Sequence, residues 1–207
     1  MEKDPLLIQK ESFRIITELL AKRGLLDRFS GVELSVVKRV VHATGDVSLA
    51  ERLIFSEGFF ESFCRTISIS KTVVADVKMV SVGISRRALA GLLVRVYVDD
   101  EDVVKESVKY GVSRAYVSMD KALKRNRNAV FVIGNSPTAL LRILEDECVG
   151  FVVGVPVGFV GAAEVKRKLL SSRIPHITLL GTRGGSSVAV AVVNALLMEA
   201  VDSGLVC

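Results

Sequence analysis

From residue 72 onward the chain alternates short β-branched runs with longer segments of helical pattern, and no other feature restricts its fold so tightly. The runs are TVVA (72–75), LLVRVYV (92–98), AVFVI (129–133), FVVGV (151–155) and HITLL (176–180). Their near-continuous hydrophobicity predicts strands buried on both faces, as in a parallel sheet covered by helices. Five of them predict an α/β, flavodoxin-like, doubly wound parallel sheet in the order 2-1-3-4-5.

Residues 4 to 70 read instead as a helical N-terminal extension. Asp4-Pro5 is a cap followed by proline at the first helical position, and Gly24 closes that helix. Ser30 and Glu33 form a capping box ahead of a helix carrying Val36, Val37, Val40 and Val41, which Gly45 ends. With 207 residues, 50% hydrophobic and 25% charged, residues 1–207 are expected to form a single domain. Its helical part is 1–70 and its parallel α/β part 71–207.

Several functional classes are set aside by composition. No uncharged apolar stretch approaches the roughly 20 residues that span a bilayer, and MEKDPLL lacks the layout of a signal peptide, so a cytoplasmic protein is expected. Cys64, Cys148 and Cys207 are odd in number and form no C-x-x-C pair, which indicates reduced thiols and neither a disulfide framework nor a metal site. A formal charge of +5 favours an anionic partner. Nucleic acid is not expected. The dense basic cluster Lys121, Lys124, Arg125 and Arg127 has no aromatic interleaving and reads as a solvated helix face.

Glycine-rich loops follow the last three runs: GNSPTAL (134–140), PVGFVGAAEVK (156–166) and GTRGGSSVAVAVVNAL (181–196). Each lies at the carboxyl end of a strand and feeds a helix N-terminus, where free amides favour anions. G-x-G-x-x-G is absent, and GTRGGSS lacks the lysine of a Walker loop. Ligand binding and plain packing both remain open for these loops. The same holds for His42, in VVHATGD (40–46): it is either a packed residue at a helix end or a reagent. His176, after Pro175 and before an apolar run, reads as structural.

The motifs taken in order resemble the precorrin-8X methylmutase (precorrin isomerase) family of cobalamin biosynthesis, from about residue 4 to residue 198. The matching blocks are Asp4-Pro5 with Ser12-Phe13, RVVHATGD (39–46), ADVKMVSVGISRR (75–87), VSRAYVSM (112–119), VFVIGNSPTALLRIL (130–144), VGVPVGFVGAAEVK (153–166) and GTRGGS through VNAL. The resemblance implies a cofactor-independent isomerase that takes a heavily carboxylated tetrapyrrole and releases a corrin. A methyl group moves from carbon 11 to carbon 12, giving hydrogenobyrinate, or cobyrinate when the substrate carries cobalt. The family also implies the flavodoxin-like fold and a homodimer.

Mapped onto this chain, the family's catalytic histidine is His42, suited to hold a transferable proton at a macrocycle nitrogen. Arg114 corresponds to the arginine of a T-R-S motif, here Ser113-Arg114-Ala115, and suits a substrate carboxylate. Ser85 and Arg86, in GISRR, match another substrate-contact segment, though a helix cap and a surface charge would explain them equally. Ser12, Asp76, Asn135 and Thr138 are further candidates, with solvent exposure, capping and loop-amide bonding as their alternatives. Arg183, Gly184, Gly185 and Ser186 offer a backbone carboxylate site. Glu164 and Lys166 also occupy family positions, with an exposed ion pair as the other reading, and Val165 replaces the usual serine. Two alternatives to the enzyme are a corrin-binding protein without turnover and a flavin- or nucleotide-binding domain.

Overall fold

The computed structural model describes residues 3–85, 91–146 and 149–205. Four expected strands form with little change: β2 (Thr72–Ala75), β4 (Val130–Ile133), β5 (Phe151–Gly154) and β6 (His176–Leu179). Every residue in them is buried. Their side chains divide by the two-residue period of a strand. Val73, Ala75, Val130, Val132, Phe151 and Val153 enter one core, whereas Val74, Phe131, Ile133 and Val152 enter another across the sheet.

The remaining strands correct the sequence reading. The wholly parallel five-stranded sheet is a mixed six-stranded one, ordered β1-β6-β5-β4-β2-β3. The extra strand, β1 (Leu53–Phe55), interrupts the supposedly helical first 70 residues and runs antiparallel to β6. Three residues are too few to carry a period. Among the five parallel strands the order does run 2-1-3-4-5. Yet β3 spans only Leu93–Arg95 and alternates exposed and half-buried, because it is an edge strand paired only with β2. Arg95 within the run is consistent with that position.

On the first face lie α1 (Pro5–Lys22), α2 (Gly31–Thr44), α3 (Phe59–Ser70), α4 (Lys78–Gly83) and α9 (Ser186–Asp202). The second face carries α5 (Glu101–Tyr110), α6 (Arg114–Asn126), α7 (Pro137–Leu144) and α8 (Ala162–Leu170). Asp4 caps α1 by accepting the Leu6 amide at 2.9 Å. Gly45 ends α2 in the left-handed region, at φ 67°. The capping box does not form: Ser30 stands at the N-cap of α2, but its hydroxyl makes no capping bond. The basic cluster is also not a wholly solvated face. Lys121 has a side chain only 16% exposed and pairs with Asp100 and Asp102, while Lys124 pairs with Asp120.

No helix among the described residues is long and apolar enough to cross a membrane.

Candidate functional site

His42 occupies the last turn of α2 and is exposed, rather than packed in the core. Its Nδ1 lies 2.7 Å from Ser12 Oγ on α1. The Phe13 ring meets the imidazole edge-on, with centroids 5.7 Å apart. Consecutive residues of α1 therefore hold the ring by one hydrogen bond and one aromatic contact, and Nε2 has no partner among the described residues. A serine hydroxyl can donate to neutral imidazole and accept from imidazolium, so this bond survives a proton transfer at Nε2.

The turn after His42 is tied to the glycine-rich loop that follows β6. Arg183 Nη1 donates to Asp46 Oδ2 at 2.5 Å and to Ser48 Oγ at 2.6 Å. Asp46 also accepts the Ser48 hydroxyl and amide, and these bonds, reinforced by Arg183, hold its carboxyl below the usual range. The Arg183 carbonyl in turn accepts from Lys166 Nζ at 2.6 Å. Lys166 is fully buried, and burial pushes its pKa down to about 8. That overturns the exposed Glu164–Lys166 pair: Glu164 reaches Arg167 instead, at 3.8 Å.

Gly184 and Gly185 lace this loop to the one after β5. The Gly185 amide donates to the Val155 carbonyl at 2.9 Å, and the Gly158 amide to the Thr182 carbonyl at 3.0 Å. At Gly184, φ is 150° and any Cβ would collide with the Val155 carbonyl. Ser186, half-buried, begins α9, whose first turn has no side-chain cap. Beyond Gly158, the β5 loop exposes Phe159 and Val160 almost completely.

A third loop, after β4, is built on Asp76. That carboxylate is wholly buried and accepts the amides of Gly134, Asn135 and Ser136 at 3.2, 2.7 and 2.9 Å. Burial raises its pKa, and the three amides oppose the rise. Thus Asp76 shapes the loop, while Asn135 and Thr138 stand exposed upon it. Thr138 Oγ1 lies 2.5 Å from Ser113 Oγ, the N-cap of α6. Arg114 follows that cap, half-exposed, with Nη1 3.2 Å from Asp99; Asp99 also meets Lys78 at 2.8 Å, which holds its carboxyl low.

The structure thus gathers Ser12 with His42, Arg183 with Asp46 beside them, and Asn135 with Thr138 and Arg114. Pro137 bridges toward the β5 loop, since a Cβ on Gly161 would lie 3.7 Å from it. His42 and Arg114 make no contact with each other. The Ser85 amide donates to Asn194 Oδ1 on α9 at 2.8 Å. Arg86 lies outside the described residues. His176 is buried, with Nδ1 2.7 Å from the Ile174 carbonyl, and burial lowers its pKa. Asp46, Ser113 and Asn194 were not singled out from the sequence. Each nevertheless lies within a quoted motif, Asp46 in RVVHATGD, Ser113 in VSRAYVSM and Asn194 in VNAL. Among the described residues no cluster of His, Cys, Asp or Glu could hold a metal ion.

A model of the precorrin-8X methylmutase family matches residues 7–199. The chain is 39% identical to the cobalt-precorrin-8 methylmutase of Priestia megaterium, across 97% of this chain and 90% of that one. Identity to the protein of the same name from Salmonella typhimurium is 40%, across 94% and 95%. The solved structure of a precorrin-8X methylmutase from Thermus thermophilus superposes with a TM-score of 0.85 at 32% identity, covering 96% of this chain and 97% of that one.

Proposed function

The chain belongs to the precorrin-8X methylmutase family, and from that premise we propose that His42 is the proton-holding group of its reaction. The protein is an isomerase of cobalamin biosynthesis. The bond between carbon 11 and its methyl group breaks as a bond from that methyl to carbon 12 forms. Atoms and electrons balance within the macrocycle.

In this reading Nε2 of His42 lends a proton or hydrogen bond to a macrocycle nitrogen, drawing electron density from the conjugated system as the methyl moves. The proton returns when the corrin is complete. The observation that carries the proposal is the exposed imidazole held at Nδ1 by Ser12, 2.7 Å away, with its other nitrogen unpartnered among the described residues. Arg114 binds a substrate carboxylate, exchanging or sharing its contact with Asp99. Asn135, Thr138 and Ser186, at the start of α9, are further substrate contacts in this reading. Ser85 and Arg86 complete the set of substrate contacts. The departures at 115 and 165 leave this machinery in place: Val165 is buried in the second core and Ala115 packs against it.

The assembly is a homodimer of single-domain chains acting in the cytoplasm. Leu6, Leu7, Ile8 and Ile15 leave an apolar surface exposed on α1, next to Ser12, which a second copy would cover. The decisive experiment is incubation of the purified protein with precorrin-8X or its cobalt form while the visible spectrum is followed. Conversion to the corrin is expected. A bound but unchanged spectrum would establish binding without turnover.

A further inference from the structure

Arg183 joins three parts of the molecule through one residue. Its guanidinium crosses to the turn that leaves α2, where Nη1 donates to Asp46 Oδ2 and to Ser48 Oγ. The Ser48 hydroxyl and amide both donate to Asp46 Oδ1, so Arg183, Asp46 and Ser48 close a ring of hydrogen bonds. Thr44 carries that ring into the helix. Its hydroxyl donates to the Val40 carbonyl at 2.8 Å and accepts the Asp46 amide at 3.3 Å. His42 lies between Val40 and Thr44, within the turn so closed. The Arg183 backbone is held from α8, on the opposite face of the sheet, because its carbonyl accepts from Lys166 Nζ.

The two ends of this connection differ in rigidity. At the loop end Lys166 is fully buried, and Gly184 is pressed so close to the Val155 carbonyl that no Cβ fits. At the helix end the Arg183 and Asp46 side chains are 53% and 38% exposed, and an ion pair in that setting adds little to folding stability. What it does supply is a fixed distance between the anchored loop and the last turn of α2. Catalysis is sensitive to such distances, since a displacement of about 1 Å at a reacting group can cost about 100-fold in rate. We propose that Arg183 is a positioning residue for His42, holding the end of α2 through Asp46 rather than binding the substrate itself.

This role rests on the reading of His42 as the proton-holding group, and its test separates the two. Single-turnover conversion, hydrogenobyrinate binding and urea unfolding are measured for wild type, R183K, R183M, D46N, R183M/D46N, H42A and H42A/R183M. R183M should slow conversion about 10-fold while product affinity stays within about 3-fold of wild type. R183K, which keeps a donor for Asp46, should recover part of that rate. D46N puts an amide where Oδ2 accepted and leaves the loop untouched, so it repeats the comparison should R183M unfold. Because the pair acts as a unit, R183M/D46N should be no slower than R183M. Adding R183M to H42A should change conversion no further, since the imidazole it positions is already gone. Normal conversion by folded R183M and D46N, additive losses in R183M/D46N, or weakened binding at an unchanged rate overturns the brace alone. So does an R183M change that slows H42A as much as it slows wild type. Wild-type conversion by H42A overturns the reading of His42 and the brace with it.

Discussion

The two sides of the candidate site use their polar atoms differently. On the sheet side they are matched to one another: three amides converge on Asp76, Lys166 donates to the Arg183 carbonyl, and the Gly185 amide meets Val155. On the α1–α2 side, among the described residues, His42 keeps one ring nitrogen without a partner and Arg39 a guanidinium without a hydrogen-bond acceptor. The glycine-rich loops are therefore largely scaffold, and the helical seam holds the unmatched groups. The loops invite a ligand-binding reading from sequence, yet much of their hydrogen-bonding capacity is already occupied.

The largest expected effect falls on the seam. Replacing His42 with alanine should lower steady-state turnover by about two to four orders of magnitude while product binding stays within a few-fold of wild type. Loss of binding in equal measure would erase the division between the two sides.

Next comes the scaffold. Asp76→Ala leaves three amides without their acceptor, two of them in only partly buried surroundings, and should reduce unfolding stability in urea by about 3 kcal/mol. A stability within 0.5 kcal/mol of wild type, on the order of an ordinary surface change, would contradict the loop architecture described above.

Arg114 tests whether the sheet side also grips ligand. In Arg114→Ala, corrin affinity should fall about 10- to 150-fold, with conversion of already bound substrate nearly unchanged. Equal affinity would confine ligand contact to the seam.

The smallest effect concerns Lys166, whose pKa of about 8 lies below its ordinary 10.5. Between those values the unfolded chain binds a proton that the folded protein has released, so stability rises with pH across that window. Compared with Lys166→Met, wild type should gain roughly 1 kcal/mol between pH 7.5 and pH 9 in urea unfolding. A pH-independent difference would place the ammonium in a solvated setting.

Much of this fold could be read from the sequence because buried parallel strands announce themselves. TVVA, VFVI and FVVG have no polar residue to divide their faces, and each forms a fully buried strand. The errors arise where neighbours, rather than local pattern, decide. LLVRVYV shrinks to three residues because only one strand flanks it, and LIF becomes a strand because β6 offers an open edge. Site identity came from motif order, which placed Ser12 and His42 as candidates 30 residues apart without showing that they touch. Lys166 shares the buried stripe of α8 with Ala162, four residues before it, and Leu169, three after, but a lysine between Glu164 and Arg167 reads as a solvent-facing charge. Arg39 lay within the quoted histidine motif, but its lack of a partner is a tertiary property.

The central claim is that the His42 imidazole, and not the loop architecture, performs the chemistry. It is tested most directly by single-turnover visible spectra of folded His42→Ala, saturated with substrate, with and without added imidazole. The account predicts conversion slowed by about 100- to 10,000-fold and partly restored by free imidazole, with the substrate bound throughout. Near-normal conversion by the folded variant in the absence of imidazole would contradict it and return His42 to a structural role.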